Sequence, residues 1–101
     1  MSYRVRLSPN ARRDRDRIVA YYDDPERLQG DRFLDDFFAT AHLLEDTPDI
    51  GRVISGDVRR WHLKVFPYQF WYRVTHELKL VRVIAVVGDS QDEQSFRARL
   101  G

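Results

Sequence analysis

The chain has 101 residues, of which 43% are hydrophobic and 33% are charged, and it contains no cysteine. This length fits one compact domain, residues 1–101, with enough apolar side chains for a single core. The lack of cysteine excludes disulfides, cysteine-ligated zinc and a thiol nucleophile. No apolar run is long enough to span a bilayer and no apolar signal region is present, so we expect a cytoplasmic protein without a membrane partner.

The charges are unevenly distributed along the chain, although the net charge is only +1. Residues 1–22 carry +4, residues 23–49 carry −7 and residues 50–101 carry +4. Such segregation can steer a charged partner to one face of a protein. It can equally reflect solvated faces, which is the more ordinary interpretation of the acidic segment.

The first half of the chain predicts one strand and two helices. Residues 3–7 alternate between apolar and basic side chains, which indicates a short strand. Ser8 and Pro9 then form a helix start, and apolar residues at helical spacing continue to Tyr22, before Pro25 ends the helix. A second helix is expected from about Pro25 or Gly30 to Glu45, with an aromatic stripe that we assign to the core. The proline and glycine of residues 47–51 break this helix.

The second half changes to a period of two residues. Strands are predicted at 52–55, 58–65, 70–74 and 78–87, the last apolar enough to be covered on both faces. A Ser-x-x-Glu capping box at 90–93 predicts a short helix through Leu100. Alternation assigns one set of side chains to the buried face: Trp61, Leu63, Val65, Phe70, Tyr72 and Val74. The opposite, exposed face receives Arg60, His62, Lys64, Trp71 and Arg73.

These elements predict an α+β fold. Helices that group together and strands that group together favour a helical hairpin on one face of a small antiparallel sheet, with an N-terminal strand and a short C-terminal helix. No linker, repeat or low-complexity segment divides the chain.

The residue pattern offers no metal or cofactor site. His42, His62 and His76 lack the spacing of metal-binding motifs, and no glycine-rich phosphate loop is present. We therefore expect neither a metal nor a cofactor.

The remaining chemistry is a cluster of basic side chains on the predicted sheet. Arg60, His62 and Lys64 alternate on one face of one strand, and Arg73 lies on the next strand. Such a set could stabilise the transition state of metal-free RNA cleavage, with His62 moving protons. It could also be the solvent side of an ordinary sheet, and the residues alone leave both interpretations open.

The order of motifs resembles the ParE/RelE superfamily of type II toxins, over nearly the whole chain. A strand leads directly into a helix (YRVRLSPNARRDRDRIVAYY), and the aromatic helix ends in Pro48-x-x-Gly51. The strand at 58–61 (VRRW) is followed by 68–74 (YQFWYRV), and the apolar strand VRVIAVV precedes a short C-terminal helix. The resemblance implies the α+β fold already predicted.

The superfamily contains two mechanisms, and the resemblance bears on both. RelE-like toxins cleave messenger RNA on the ribosome, whereas ParE-like toxins poison DNA gyrase. The RelE-type basic positions fall at Arg60, His62, Gln69 and near Asp89-Ser90, and the C-terminal tyrosine falls at Phe96. Two cations and a hydroxyl are thus replaced. A His-x-x-Arg that is common in ParE-like toxins is also replaced, by Gly88-Asp89-Ser90-Gln91. Because the nuclease site is incomplete, the resemblance favours a ParE-like gyrase inhibitor, which acts by binding its target, over an enzyme.

The resemblance also implies a cognate antitoxin as partner, in a hetero-oligomeric complex. The residues expected to bind it are Arg12, Arg13, Arg17, Tyr21, Tyr22 and Trp71. Two alternatives remain. One is a ribosome-dependent mRNA endoribonuclease that uses Arg60, His62, Lys64 and Arg73, and the other is a catalytically degenerate member that only binds its antitoxin.

Overall fold

The computed structural model describes residues 2–100, which contain five strands and three α-helices. The strands are β1 Arg4–Leu7, β2 Arg52–Ser55, β3 Val58–His62, β4 Tyr68–Thr75 and β5 Leu80–Gly88. The helices are α1 Pro9–Tyr22, α2 Gly30–Asp46 and α3 Gln94–Arg97. Single 3₁₀ turns lie at Pro48–Ile50, His76–Leu78 and Ala98–Leu100. Of the two expected starts for the second helix, Gly30 is the one observed.

The strands form one sheet in the order β1-β5-β4-β3-β2. The three pairs among β2, β3, β4 and β5 are antiparallel, while β1 runs parallel to β5. The predicted α+β class is confirmed, but the sheet is mixed rather than wholly antiparallel. The reason is that α1 and α2 cross over the sheet between β1 and the meander, which places β1 beside the last strand.

The helical hairpin packs on one face of the sheet and forms the main core. The Ser8 hydroxyl accepts a hydrogen bond from the Ala11 amide at 3.1 Å and so caps α1, as predicted. The aromatic stripe of α2 is core at Phe33 and Phe37, which are buried. The neighbouring Phe38 lies outside this core, because half of its surface is exposed.

The opposite face of the sheet carries a second, smaller core. Its buried members are Val58, Trp71, Ile84, Ala85, Val87 and Phe96. The β5 strand is therefore covered on both faces, as its apolar sequence predicted. The expectation that Trp71 is exposed was wrong: the side chain is 0% exposed, and the Phe96 ring packs edge-on against it at a centroid distance of 6.2 Å.

The β3 strand is shorter than predicted, ending at His62 instead of residue 65. The buried Asp36 carboxylate on α2 accepts hydrogen bonds from the backbone amides of Lys64, Val65 and Phe66. Because these amides point at one carboxylate, the chain turns there and cannot continue a strand. Val65, expected on the buried face, is consequently 69% exposed.

The predicted capping box at residues 90–93 does not form. The α3 helix has Glu93 as its N-cap residue without a side-chain cap, and the Gln94 amide bonds to the Asp92 carboxylate at 2.9 Å. The reason lies just upstream, where the Gln91 side chain accepts the Gly88 amide at 2.7 Å and holds residues 88–91 in a turn. A helix therefore starts only after this turn.

Candidate functional site

Three of the four candidate catalytic side chains lie on one face of the sheet, around Trp71. In the β3–β4 pair, Arg60 is in register with Trp71, and His62 is in register with Gln69. Arg73 follows Trp71 by two residues on β4 and so shares its face. Lys64 does not join this group, because it lies in the turn beyond β3. We call Arg60, His62, Trp71 and Arg73 with their direct partners the sheet-face cluster.

Each basic side chain of the sheet-face cluster has a carboxylate partner. His62 Nδ1 lies 3.2 Å from Asp89 Oδ1, and Arg73 Nε lies 3.0 Å from Asp57 Oδ1. Arg60 Nη1 lies 3.8 Å from Glu93 Oε2. The carboxylates come from the β2–β3 turn and from the segment after β5. Positive charge on this face is therefore largely balanced within the chain.

A line of hydrogen bonds crosses the same face, and sequence reasoning missed it. The Trp71 indole donates to Gln69 Oε1 at 3.0 Å, and Gln69 Nε2 donates to Asp89 Oδ1 at 3.2 Å. Asp89 in turn faces His62. Gln69 is buried, so these bonds satisfy its amide. The signal was available, since Gln69 and Asp89 were the positions at which the RelE-type cations are replaced.

The C-terminal segment, residues 89–100, covers the middle of the sheet-face cluster. Phe96 is buried against Trp71, and an Arg73 guanidinium nitrogen donates to the Leu100 carbonyl. Phe96 has no titratable group. Within residues 2–100 the cluster contains one imidazole, that of His62.

The remaining predicted partner-binding residues lie on α1, away from Trp71. Arg12 and Arg13 are exposed, and Arg17 is exposed with a long contact of 3.5 Å to Asp14. Tyr21 is 53% exposed and stacks with the Arg27 guanidinium. Tyr22 is half-buried among aromatic rings of the core. The structure therefore brings five of the six residues together and separates Trp71 from them.

An open groove of about 380 Å³ lies where α1 ends beside the β3–β4 turn, lined by Arg17, Tyr21, Tyr22 and Tyr68 among others. Burial raises the pKa of Tyr68, and its hydrogen bond to Tyr22 raises it further. Burial also raises the pKa of Tyr72. Neither phenol is ionised at neutral pH, so neither can act there as a general base.

In the part of the chain that the structure describes, no group of three His, Cys, Asp or Glu side chains is placed to hold a metal ion. None of the helices within residues 2–100 has the length and apolar character needed to cross a membrane.

The fold is similar to several solved toxin–antitoxin structures. A chain of the chromosomal ParDE system from P. aeruginosa aligns with a TM-score of 0.72 at 18% identity, covering 86% of this chain and 96% of that one. A chain of the RelBE2 toxin–antitoxin complex from Mycobacterium tuberculosis aligns at 0.64 with 22% identity, covering 87% and 99%. The isolated E. coli RelE toxin aligns at 0.59 with 19% identity, covering 96% and 95%. These likenesses define a ParE/RelE-like fold.

The sequence identifies the family within that fold. Residues 5–93 match the family model of the ParE toxin of the type II toxin–antitoxin system parDE. Comparison with curated protein sequences gives no significant match. The chain belongs to the ParE family of type II toxins, and the predicted superfamily is confirmed.

Proposed function

We propose that this toxin inhibits DNA gyrase by binding it, without catalysing a reaction of its own. The observation that carries the proposal is the state of the sheet-face cluster: His62, Arg73 and Arg60 each lie within ion-pair distance of a carboxylate. A nuclease site of this fold needs cations that are free to neutralise charge developing on a phosphate.

Pairing these side chains with carboxylates would lower the rate of RNA cleavage strongly. Removing a single transition-state donor typically lowers a rate by about a hundredfold to a thousandfold. Here Asp89 and Glu93 lie beside His62 and Arg60, and their charge would repel a phosphate that approached these side chains. Phe96 and Trp71 fill the centre of the same face. These features favour a binding surface over an RNA-cleaving one.

Two parallel assays test the proposal. In the first, the purified chain is added to gyrase and relaxed plasmid, and we expect loss of supercoiling with cleaved DNA trapped on the enzyme. In the second, it is added to an in vitro translation reaction, and transcript ends are mapped. We expect no new codon-positioned cuts. Cuts that disappear in His62→Gln, with supercoiling unaffected, would overturn the proposal in favour of an endoribonuclease.

A third outcome identifies the degenerate alternative. If neither assay responds and expression of the chain does not arrest growth, while antitoxin binding is intact, the chain has no toxic activity. That result would also overturn the proposal.

We further propose that a cognate antitoxin binds the α1 surface formed by Arg12, Arg13, Arg17 and Tyr21. These side chains are exposed, and the three arginines bring positive charge to one helix. An antitoxin segment with acidic residues would complement it. Trp71 is buried beneath Phe96 and can take part only if the C-terminal segment moves.

Charge substitution tests this surface. Arg12→Glu with Arg13→Glu is expected to weaken antitoxin affinity by tenfold or more, measured by calorimetry. Arg17 is left unchanged because it approaches the buried Asp14. Arg32→Glu with Arg52→Glu changes the charge equally at exposed positions on α2 and β2 and serves as the control. Equal losses in both variants would show a general charge effect and contradict the proposed surface.

A further inference from the structure

Three arginines lie on one face of the sheet at the edge formed by β1 and β5. Arg4 and Arg6 are two residues apart on β1 and therefore point to the same side. Arg6 is in register with Arg82 on the parallel strand β5. We call Arg4, Arg6 and Arg82 the edge arginines. Arg73 on β4 is in register with Arg82 on its other side, which extends the row across three strands.

The edge arginines have no side-chain partner among the described residues. All three are exposed, and none forms an ion pair or side-chain hydrogen bond with another residue in 2–100, whereas Arg73 is paired with Asp57. Like charges facing each other on neighbouring strands destabilise a sheet. Since folding gains nothing from this arrangement, it is suited to an anion that comes from outside the chain.

A groove lies beside the row. Arg82 lines this open groove of about 340 Å³ together with Ser8 and Asn10 at the start of α1, and Arg99, whose charge is paired with Asp14, lines it as well. The first turn of α1 contains no acidic residue. The amino-terminal end of a helix carries partial positive charge, which adds to that of Arg82.

The surroundings of the edge arginines indicate the chemical class of the ligand. Among residues 2–100, the large apolar side chains that are exposed all lie outside β1 and β5: Tyr21, Leu28, Phe38, Leu43, Ile50, Val53, Val65 and Leu78. Protein interfaces rely on buried apolar and aromatic anchors. Single-stranded nucleic acids are bound by aromatic stacking. On the described part of β1 and β5 neither an exposed apolar anchor nor an exposed aromatic ring is present, but contact with the phosphates of a duplex requires only cations.

We propose that the edge arginines bind the phosphate backbone of a nucleic-acid duplex, without reading its bases. Neighbouring strands are about 4.8 Å apart. The row therefore presents planar guanidinium groups side by side, a geometry that suits bidentate contact with phosphate oxygens. The proposal does not depend on gyrase as the target, because it concerns the β1–β5 edge of the sheet rather than the paired side chains of the sheet-face cluster.

Fluorescence anisotropy with a labelled duplex of arbitrary sequence and about 20 base pairs tests the proposal. Duplexes of DNA and of RNA are measured separately to identify which is bound. With three phosphate contacts, we expect the logarithm of the affinity to fall with the logarithm of salt concentration with a slope of about −3. Arg6→Gln with Arg82→Gln is expected to reduce this slope by about 2 and to weaken binding at low salt about tenfold or more.

The control is Arg32→Gln with Arg52→Gln, which removes the same charge from exposed positions on α2 and β2 that have no side-chain partner in residues 2–100. It should leave the slope unchanged. Thermal unfolding checks the fold, and the Arg6→Gln/Arg82→Gln variant should be at least as stable as the wild type because like charges are removed. If that variant does not fold, Arg4→Gln alone must still reduce the slope by about 1.

Three results would overturn the proposal: no binding of either duplex at low salt, an equal loss in the control, or preferential binding of polyglutamate or of a single-stranded oligonucleotide over the duplex. The first would show that the row is an unliganded surface, and the last would assign it to a different class of ligand.

Discussion

Arg99, in the 3₁₀ turn Ala98–Leu100, forms a bidentate ion pair with Asp14 on α1. Its Nη1 and Nη2 atoms each donate to one carboxylate oxygen, and Nη1 also donates to the Ile84 carbonyl. Asp14 is 1% exposed and accepts the Val86 amide at 3.0 Å. The strand β1 pairs only with the first part of β5, so the Ile84 carbonyl and the Val86 amide have no strand beside them on that side. Arg99 and Asp14 provide the hydrogen bonds that these two backbone groups need. The pair thereby anchors the C-terminal segment to the helical hairpin.

Asp14→Asn should destabilise the protein strongly. Breaking a buried pair leaves the arginine charge uncompensated, and since Arg99 is partly exposed we expect a loss of about 2–3 kcal/mol in the free energy of unfolding. Urea denaturation gives the value. Asp16→Asn, on the same helix but in a surface pair with Arg15, should change it by less than about 0.5 kcal/mol. Similar losses in the two variants would contradict the anchoring role of Asp14.

Phe96→Ala should uncover Trp71. The Phe96 ring is the aromatic group of the C-terminal segment that covers the indole, and losing it should cost about 3 kcal/mol. In a Trp61→Phe background, where Trp71 is the sole indole, we expect red-shifted emission and greater acrylamide quenching. Arg97→Ala, at a neighbouring exposed position, is the control and should leave the emission unchanged. An unshifted spectrum in a folded Phe96→Ala variant would show that other groups cover Trp71.

Sequence patterns predicted the elements well where neighbouring residues alone determine them. The apolar stripes of α1 and α2 and the apolar run of β5 are such local patterns, and the two helices and the strand form at the predicted positions. The burial of Trp71 was not predictable in this way, because it depends on Phe96, which lies beyond another strand and a turn. Likewise, the end of β3 depends on the Asp36 carboxylate, far away in sequence. The alternation of apolar and polar residues along a strand carries no information about a contact with a residue so distant in sequence.

The candidate site was also predictable only in part, because some of its features depend on residue type alone and others on contacts made in the folded chain. Replacement of the RelE-type cations at Gln69 and Asp89 is visible in the sequence. The pairing of Arg60, His62 and Arg73 with carboxylates is not, because each carboxylate comes from a connection between elements and reaches the strand only in the folded chain. Position in three dimensions, rather than residue type, balances the charge of this face.

Stability should fall in alkaline solution. Burial raises the pKa of Tyr72 in the folded state above that of an unfolded tyrosine, which is about 10. The contribution of Tyr72 is therefore fully present below that pH and is lost as the pH rises further, because the unfolded chain releases its proton first. The slope for one group is at most about 1.4 kcal/mol per pH unit. Urea midpoints across this range should decline less steeply in Tyr72→Phe, and an unchanged decline would contradict the assignment.

Gly51→Ala should destabilise the protein through contact with Tyr72. The Gly51 amide donates to the Tyr72 hydroxyl at 2.9 Å, and a Cβ at this position would lie 2.3 Å from that oxygen and 2.8 Å from the Arg60 carbonyl oxygen. We expect a loss of about 2–3 kcal/mol by overpacking.

Gly56→Ala is the matched control for this prediction. Gly56 has a φ of +54°, and a Cβ there would meet no atom within 4 Å, so its cost of about 1 kcal/mol comes from backbone conformation alone. Tyr72→Phe should relieve part of the loss in Gly51→Ala, giving a coupling energy of about 0.5 kcal/mol or more in a double-mutant cycle, and should not affect Gly56→Ala. Additive effects at Gly51 and Tyr72 would mean that the Arg60 carbonyl, not the hydroxyl, limits the space at this turn.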